Sequence, residues 1–119
     1  EPSNFIINKA RDLNDELDLL VTDNFEDALR ETNVLYTDVW SSMGQENDKL
    51  AKESKFEGFT LNSSLLKKVS KEAIVMHCLP AYRGKEISEE VIDSNQSRIF
   101  IQAENRMHAQ QALLHLLIK

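Results

Sequence analysis

The segment of this chain best suited to chemistry is His77-Cys78-Leu79-Pro80, which places an imidazole beside a thiol. It comes directly after the apolar run 73–76 (Ala-Ile-Val-Met), which has the length and composition of a fully buried strand. Ligands of open α/β sheets bind outside the carboxyl ends of strands, so a thiol at this point is placed for use. The alternative is a small buried hydrophobe, the more common role of a lone cysteine.

Two other segments bring polar groups to predicted strand ends or helix starts, 38–44 (Asp-Val-Trp-Ser-Ser-Met-Gly) and 104–106 (Glu-Asn-Arg). Asp38 follows a predicted strand, where its carboxylate suits a substrate ammonium group. Ser42 and Met43 lie at a predicted helix start, whose free N–H groups suit a carboxylate. An amino acid carries both groups. The alternative is that Asp38 and Ser42 only cap the turn.

Cys78 and Arg106 are the residues best suited to act on a reacting group. The sulfur of Cys78 suits a reacting amine or carbonyl, either as a thiolate or as a hydrogen-bonding atom, and the thiolate requires a neighbouring charge that lowers its pKa. Arg106 suits a bidentate contact with a phosphate or carbonyl oxygen. Its alternative is a solvated arginine in the first turn of a helix. His108 and His115 lack CxxC or HExxH spacing, so we predict no metal site.

Hydrophobic periodicity and capping signals predict the elements that position these segments. We predict helices over 6–17, 24–33, 43–55, 63–69, 88–92 and 104–119, and strands over 19–21, 34–36, 73–76 and 98–101. Asp23 and Glu26 have the spacing of a capping pair for the second helix. The last helix is predicted to carry its apolar side chains on one face, at positions 109, 113, 116 and 117. This alternation predicts a three-layer α/β/α fold with a mostly parallel, Rossmann-like sheet.

Composition limits the classes of partner. The 119 residues suit one domain, and a net charge of −6 argues against binding to nucleic acid or to an anionic membrane. The single cysteine excludes an intramolecular disulfide. Neither a membrane span nor a signal peptide pattern is present in the sequence. We therefore expect a cytoplasmic protein that binds small molecules.

The three motifs, in this order and spacing, resemble the carboxyl-terminal half of ornithine carbamoyltransferase over nearly all of the chain. The resemblance implies transfer of the carbamoyl group of carbamoyl phosphate to the δ-amino group of L-ornithine. The products would be citrulline and phosphate. It also implies that no metal or organic cofactor takes part, and that the same site serves arginine biosynthesis and arginine breakdown.

The resemblance also implies roles for individual residues. The ornithine-binding positions would be Asp38, Ser42, Met43, Cys78 and Leu79, and the carbamoyl phosphate-binding positions would be Cys78, Leu79 and Arg106. Cys78 would be the catalytic position, near the δ-amino group and the carbonyl carbon. The resemblance favours ornithine over aspartate as the acceptor, because the aspartate enzymes of the family have His-Pro-Leu-Pro where this chain has His-Cys-Leu-Pro. Putrescine ranks second because it lacks the carboxylate that the helix start at Ser42 would hold.

Parts of the family pattern have no counterpart in this sequence, namely the Ser-Thr-Arg-Thr phosphate-binding motif and the Gly-Asp-Gly-Asn-type segment. We therefore expect residues 1–119 to form a partial ornithine-binding domain, without the carbamoyl phosphate domain and without the first strands of its own sheet. The isolated chain should have little transferase activity, and its open sheet edges should favour self-association. The resemblance implies a homotrimer or larger assembly for the parent protein. The rival interpretation is a noncatalytic fragment or an amino-acid-binding module.

Overall fold

A computed structural model describes residues 2–41 and 54–118 of the chain. The chain divides into two compact units, Glu1–Arg30 and Glu31–Lys119, and each is described by itself. The predicted helix from 43 to 55 falls largely outside the described residues, as do Ser42 and Met43. Of that prediction the structure describes only the end, where residues 54 and 55 are helical and Gly58 follows with a positive φ of 92°. Glycine adopts this left-handed conformation without a steric penalty.

The first unit contains two helices, α1 (Asn4–Leu13) and α2 (Phe25–Ala28). Both helices were predicted, although each is shorter than its apolar pattern suggested. The N-cap of α2 is Asn24 rather than the predicted Asp23, because the Asn24 side chain accepts the backbone N–H of Glu26 at 2.9 Å. The predicted strand 19–21 is wrong. Those residues form no strand, and Leu20 and Val21 are exposed.

The second unit is built on two parallel strands, β1 (Val34–Thr37) and β2 (Ile74–His77). They pair in register from Val34 opposite Ile74 to Thr37 opposite His77. The prediction that β2 is fully buried is wrong in one respect, because only alternate residues are buried along it, as in a strand with one covered face. On β1, Val34 and Tyr36 are exposed. Among the described residues the sheet has these two strands, which lie parallel as predicted.

Two one-turn helices pack beside the sheet, α3 (Ser63–Leu66) and α4 (Glu89–Ile92). The side chain of Asn62 caps α3 by accepting the backbone N–H groups of residues 64 and 65, which confirms the predicted start of that helix. Ile87 and Ile92, which have the spacing of a hydrophobic staple across the start of α4, are both buried. The buried core cluster consists of Leu61, Val75, Ile87, Val91, Ile92 and Ile99.

The last helix, α5 (Ile99–Leu117), overturns two predictions. The segment 98–101 is not a strand, because only Ile99 of its apolar residues is buried, whereas Phe100 and Ile101 are exposed. Before the helix begins, the chain forms one isolated bridge with β2, in which the Val75 N–H donates to the Gln96 carbonyl at 2.9 Å and the Arg98 N–H donates to the Val75 carbonyl at 2.8 Å. The helix therefore starts five residues earlier than position 104. Its predicted apolar face, at positions 109, 113, 116 and 117, is exposed.

In the described part of the chain, no helix is long and apolar enough to cross a membrane.

Candidate active site

The parallel register of β1 and β2 brings two predicted site residues together. Thr37 lies opposite His77 at the end of the ladder, so the next residue on each strand, Asp38 and Cys78, emerges at the same edge of the sheet. This is the carboxyl edge, where open α/β sheets bind their ligands. The thiol of Cys78 is exposed and donates a hydrogen bond from Sγ to Asp38 Oδ1 at 3.0 Å. The two residues are 40 positions apart in the sequence.

The contact between these groups sets the protonation of both. The hydrogen bond from Cys78, together with the Val39 backbone N–H that donates to Oδ1 at 2.7 Å, lowers the pKa of Asp38 below its ordinary value of 3.8. The same carboxylate raises the pKa of the Cys78 thiol above its ordinary value of 9.0, first by accepting its hydrogen bond and then by its charge. At neutral pH the pair is therefore a carboxylate and a protonated thiol.

This protonation state favours one of the two predicted uses of Cys78. A thiolate nucleophile requires a lowered pKa, but the structure gives a raised one. The arrangement instead suits a sulfur that hydrogen-bonds and orients a neighbouring group. Arg106 acts in the opposite direction, because its positive charge lowers the pKa of Cys78, but the effects of Asp38 and of burial are larger.

Arg106 lies within α5, two turns past the start of the helix rather than in the first turn as predicted. The prediction of a helix-start position is wrong, so the helix dipole gives no reason to expect an anion there. Arg106 lines an open groove of about 520 Å³ along α5, with Met107 and Gln110 among its neighbours. One turn earlier, Gln102 accepts the His77 backbone N–H at 3.1 Å and donates to the Tyr36 hydroxyl at 2.8 Å. These bonds fix α5 against the ends of both strands.

His77 is buried next to the exposed thiol, and its side chain makes two hydrogen bonds. Its Nδ1 accepts the backbone N–H of Leu79 at 2.9 Å, so the ring proton lies on Nε2, which donates to Glu86 Oε1 at 3.2 Å. Glu86 is also buried, and the same Oε1 atom accepts the Tyr82 backbone N–H at 2.6 Å. Leu79 has a positive φ of 57° and precedes a cis peptide bond to Pro80.

Ligand atoms of Asp38, His77 and Cys78 lie within 4.8 Å of one another. Three such groups could in principle hold a metal ion. Both ring nitrogens of His77 already make hydrogen bonds within the protein, however, and the sulfur carries a proton that Asp38 accepts. These donors do not suit a metal ion as they stand. His108 lies elsewhere, on α5, where its Nε2 is 3.7 Å from the carboxylate of Glu104.

The structure thus joins Asp38 and Cys78 by a hydrogen bond and puts Arg106 within electrostatic reach of Cys78, and Leu79 follows Cys78 in the chain. The other two predicted site residues lie outside the described part. Sequence reasoning assigned no role to Gln102 or Glu86. Gln102 could have been noticed because it lies four residues before Arg106, on the same helical face. Glu86 carries no local signal, since its partner His77 is nine residues away across a loop.

Comparison with known proteins identifies relatives of the chain. Residues 1–117 match the aspartate/ornithine carbamoyltransferase family over its Asp/Orn binding domain. An ornithine carbamoyltransferase from Prochlorococcus marinus subsp. pastoris is 55% identical over 119 residues, which cover 99% of this chain and 39% of that protein. The chain therefore spans about two fifths of the length of this curated relative.

Solved structures show the same similarity. The ornithine carbamoyltransferase of Thermus thermophilus superposes with a TM-score of 0.80 at 34% identity, over 100% of this chain and 36% of that one. The ornithine transcarbamoylase of Giardia lamblia gives a TM-score of 0.83 at 26% identity, over 96% of this chain and 36% of that one. The predicted α/β, Rossmann-like fold class is confirmed by these similarities and by the parallel strands.

Proposed function

Because the chain belongs to the aspartate/ornithine carbamoyltransferase family by its Asp/Orn binding domain, we propose that it forms the ornithine-binding part of an ornithine carbamoyltransferase. The full-length protein would transfer the carbamoyl group of carbamoyl phosphate to the δ-amino group of L-ornithine, giving citrulline and phosphate. The observation that carries the proposal is the 3.0 Å contact between the Cys78 thiol and the Asp38 carboxylate at the carboxyl edge of the sheet. Relatives that share this domain are ornithine carbamoyltransferases.

The charges of the pair suit an amine substrate. Asp38 is ionised at neutral pH, as an aspartate ordinarily is, and its lowered pKa reinforces that state; an exposed carboxylate attracts an ammonium group. Cys78 keeps its proton because its pKa is raised, so its sulfur would orient the δ-amino group rather than attack the substrate. In this proposal Asp38, with Ser42 and Met43, holds the amino acid part of ornithine, and Leu79 offers its backbone carbonyl to the reacting amine.

The reaction is attack by the lone pair of the uncharged δ-amino nitrogen on the carbonyl carbon of carbamoyl phosphate. A C–N bond forms, the C–O bond to phosphate breaks, and the amine proton leaves with the phosphate or passes to water. The protein's contribution would be to hold the two substrates in line and to stabilise the oxyanion that develops on the carbonyl oxygen. Arg106 would place its positive charge on the oxygens of carbamoyl phosphate.

Two alternatives give different results in the same assay. A putrescine carbamoyltransferase would use putrescine in preference to ornithine, and a noncatalytic amino-acid-binding module would form no citrulline from either acceptor. Ornithine is favoured because the relatives are ornithine carbamoyltransferases. We further propose that the full-length protein is a homotrimer or larger, and that the carbamoyl phosphate domain lies outside these 119 residues.

The test is steady-state citrulline formation by the full-length polypeptide that contains this chain. Cys78→Ala should lower kcat at least about tenfold, because the amine loses its orienting group. Asp38→Asn should raise the KM for ornithine about tenfold, the effect of about 1.4 kcal/mol of lost binding, and should change the KM for carbamoyl phosphate less than twofold. The matched control is Glu72→Gln, which removes an exposed carboxylate at the opposite end of β2.

Three results would contradict the proposal. Absence of citrulline formation by the wild-type polypeptide would remove the transferase assignment. Near-normal turnover of Cys78→Ala would remove Cys78 from the mechanism. Equal changes in both KM values for Asp38→Asn would refute its role in ornithine binding.

A further inference from the structure

We propose that Glu86 and His77 are positioning residues of the transfer reaction, which hold the backbone of Leu79 in place beside Cys78. The inference rests on the proposed function and extends it to two buried side chains that would not themselves touch substrate. It starts from the hydrogen bonds that join Glu86 to His77 and His77 to Leu79.

The conformation of Leu79 requires support. Its φ of 57° lies in the left-handed region, which a bulky side chain such as leucine rarely adopts. Residues held in sparsely populated conformations persist only where surrounding contacts fix them, and such residues concentrate at functional sites. The contact that fixes Leu79 is its own N–H, which donates to His77 Nδ1 at 2.9 Å.

Glu86 holds the ring of His77 in the tautomer that can accept the Leu79 N–H. An imidazole accepts through Nδ1 only when its proton lies on Nε2, and the Glu86 carboxylate fixes this tautomer by accepting the Nε2 proton at 3.2 Å. Both side chains are almost wholly buried, 1% exposed in each case, so water does not compete for these bonds. Glu86 is held in turn by the Tyr82 N–H at 2.6 Å.

The backbone that this network fixes belongs to the site. Cys78 lies between His77 and Leu79, and its sulfur meets Asp38 at the edge of the sheet. A shift of Leu79 out of its left-handed conformation would turn the peptide groups on either side of it. The amine that attacks carbamoyl phosphate would then be misplaced, and misplacement of a reacting group lowers kcat more than it weakens substrate binding.

The variants are chosen to separate positioning from packing. In His77→Asn, the Asn Oδ1 atom occupies roughly the place of Nδ1 and can accept the Leu79 N–H. In His77→Gln, the side chain reaches towards Glu86 instead but leaves the Leu79 N–H without its acceptor. Glutamine fills the buried space better than asparagine, so packing alone favours His77→Gln, whereas positioning of Leu79 favours His77→Asn.

Glu86 is tested in parallel. Both hydrogen bonds of its side chain end on Oε1, and the amide oxygen in Glu86→Gln can accept the same two donors. We expect Glu86→Ala to lower kcat at least about tenfold, with each KM changed less than about threefold, and Glu86→Gln to retain at least about a third of the wild-type kcat. Glu89→Ala, which removes a mostly exposed carboxylate three residues later, is the control and should leave kcat unchanged.

The decisive comparison is kcat for citrulline formation by the full-length polypeptide at a temperature where each variant is folded by circular dichroism. His77→Asn should exceed His77→Gln at least about fivefold. Equal values, or a higher kcat for His77→Gln, would overturn the inference, as would a Glu86→Ala enzyme with wild-type kcat. If Glu86→Ala does not fold, the two His77 variants and Glu86→Gln still decide the outcome.

A second readout does not depend on transferase activity. In ¹⁵N-histidine NMR spectra of the chain, the ring of His77 should show one protonated nitrogen, Nε2, and one unprotonated nitrogen, Nδ1. Glu86→Ala should abolish this fixed pattern, and the control should keep it. If the wild-type polypeptide is inactive but shows this NMR pattern, the proposed function is wrong and the hydrogen-bond network is supported. If the wild-type polypeptide is active but lacks the pattern, the hydrogen-bond network is wrong and the proposed function is retained.

Discussion

Replacement of Asp38 by asparagine should make the thiol of Cys78 more reactive. In the wild-type chain the carboxylate raises the pKa of Cys78 by accepting its hydrogen bond and by its negative charge. Asp38→Asn removes the charge and keeps the shape of the side chain. A larger fraction of Cys78 is then thiolate at pH 8, and the thiolate is the reactive form.

The size of the expected rate increase follows from the exposure of Asp38 and Cys78. An interaction between exposed charged groups is worth at most about 1 kcal/mol, which corresponds to about a fivefold change in thiolate fraction. A thiolate of lower basicity is also a weaker nucleophile, with a Brønsted coefficient of about 0.45. The two effects together predict a rate increase of about two- to threefold.

The assay is reaction of the chain with 4,4′-dithiodipyridine, an uncharged disulfide whose own binding is not altered by the lost carboxylate. The chain has a single cysteine, so the released chromophore reports on Cys78 alone. Glu72→Gln is the control, since it removes an exposed carboxylate beyond the opposite end of β2. Arg106→Gln should slow the reaction, because the charge of Arg106 lowers the pKa of Cys78. A folded Asp38→Asn chain that reacts no faster than wild type would refute the assignment.

Two further predictions concern stability. Ile99→Ala should lower the free energy of unfolding by about 2–5 kcal/mol because Ile99 is fully buried. Phe100→Ala, at a side chain 62% exposed, should lower it by less than about 1 kcal/mol. Equal shifts in the urea midpoints of the two variants would contradict the helical placement of this segment. Because the folded state lowers the pKa of Asp38 below 3.8, the stability that its carboxylate adds should be complete above that pH and lost as pH falls through the lowered value. The difference in urea midpoint between wild type and Asp38→Asn should therefore shrink from pH 6 to pH 2.5, and a constant difference would argue against it.

The elements that sequence predicts well are those whose signals are local. Both strands of the sheet were located because each is a short apolar run, and α3 was located by its capping residue, Asn62. The two failed strand predictions, 19–21 and 98–101, have equally apolar runs. A strand forms only where a partner supplies ladder hydrogen bonds, and composition does not reveal whether that partner is present. Next to segment 98–101 the chain makes a single bridge to β2, at Ser97, and the helix begins at Ile99.

The candidate site was likewise predictable only in part. Its location was predictable, because Asp38 and Cys78 each follow a strand and parallel strands present their carboxyl ends at one edge. The protonation of the thiol was not, because it depends on a carboxylate 40 residues away and on a distance that only the folded chain fixes. The hydrogen bond between His77 and Glu86 could not be predicted either, because it spans a loop and no regular spacing in the sequence indicates that the two residues meet.

The adjacent residues His77 and Cys78 serve different sides of the fold because side chains alternate along an extended chain. Val75 and His77 are buried on one side, and Cys78 is exposed on the other. A shift of one residue in the register between β2 and β1 would exchange these positions, burying the thiol and exposing the imidazole. Glu86 and the Leu79 N–H both bind the buried imidazole, so they stabilise the register that leaves Cys78 facing Asp38. The buried pair thereby contributes to the same geometry that the exposed pair would use on substrate.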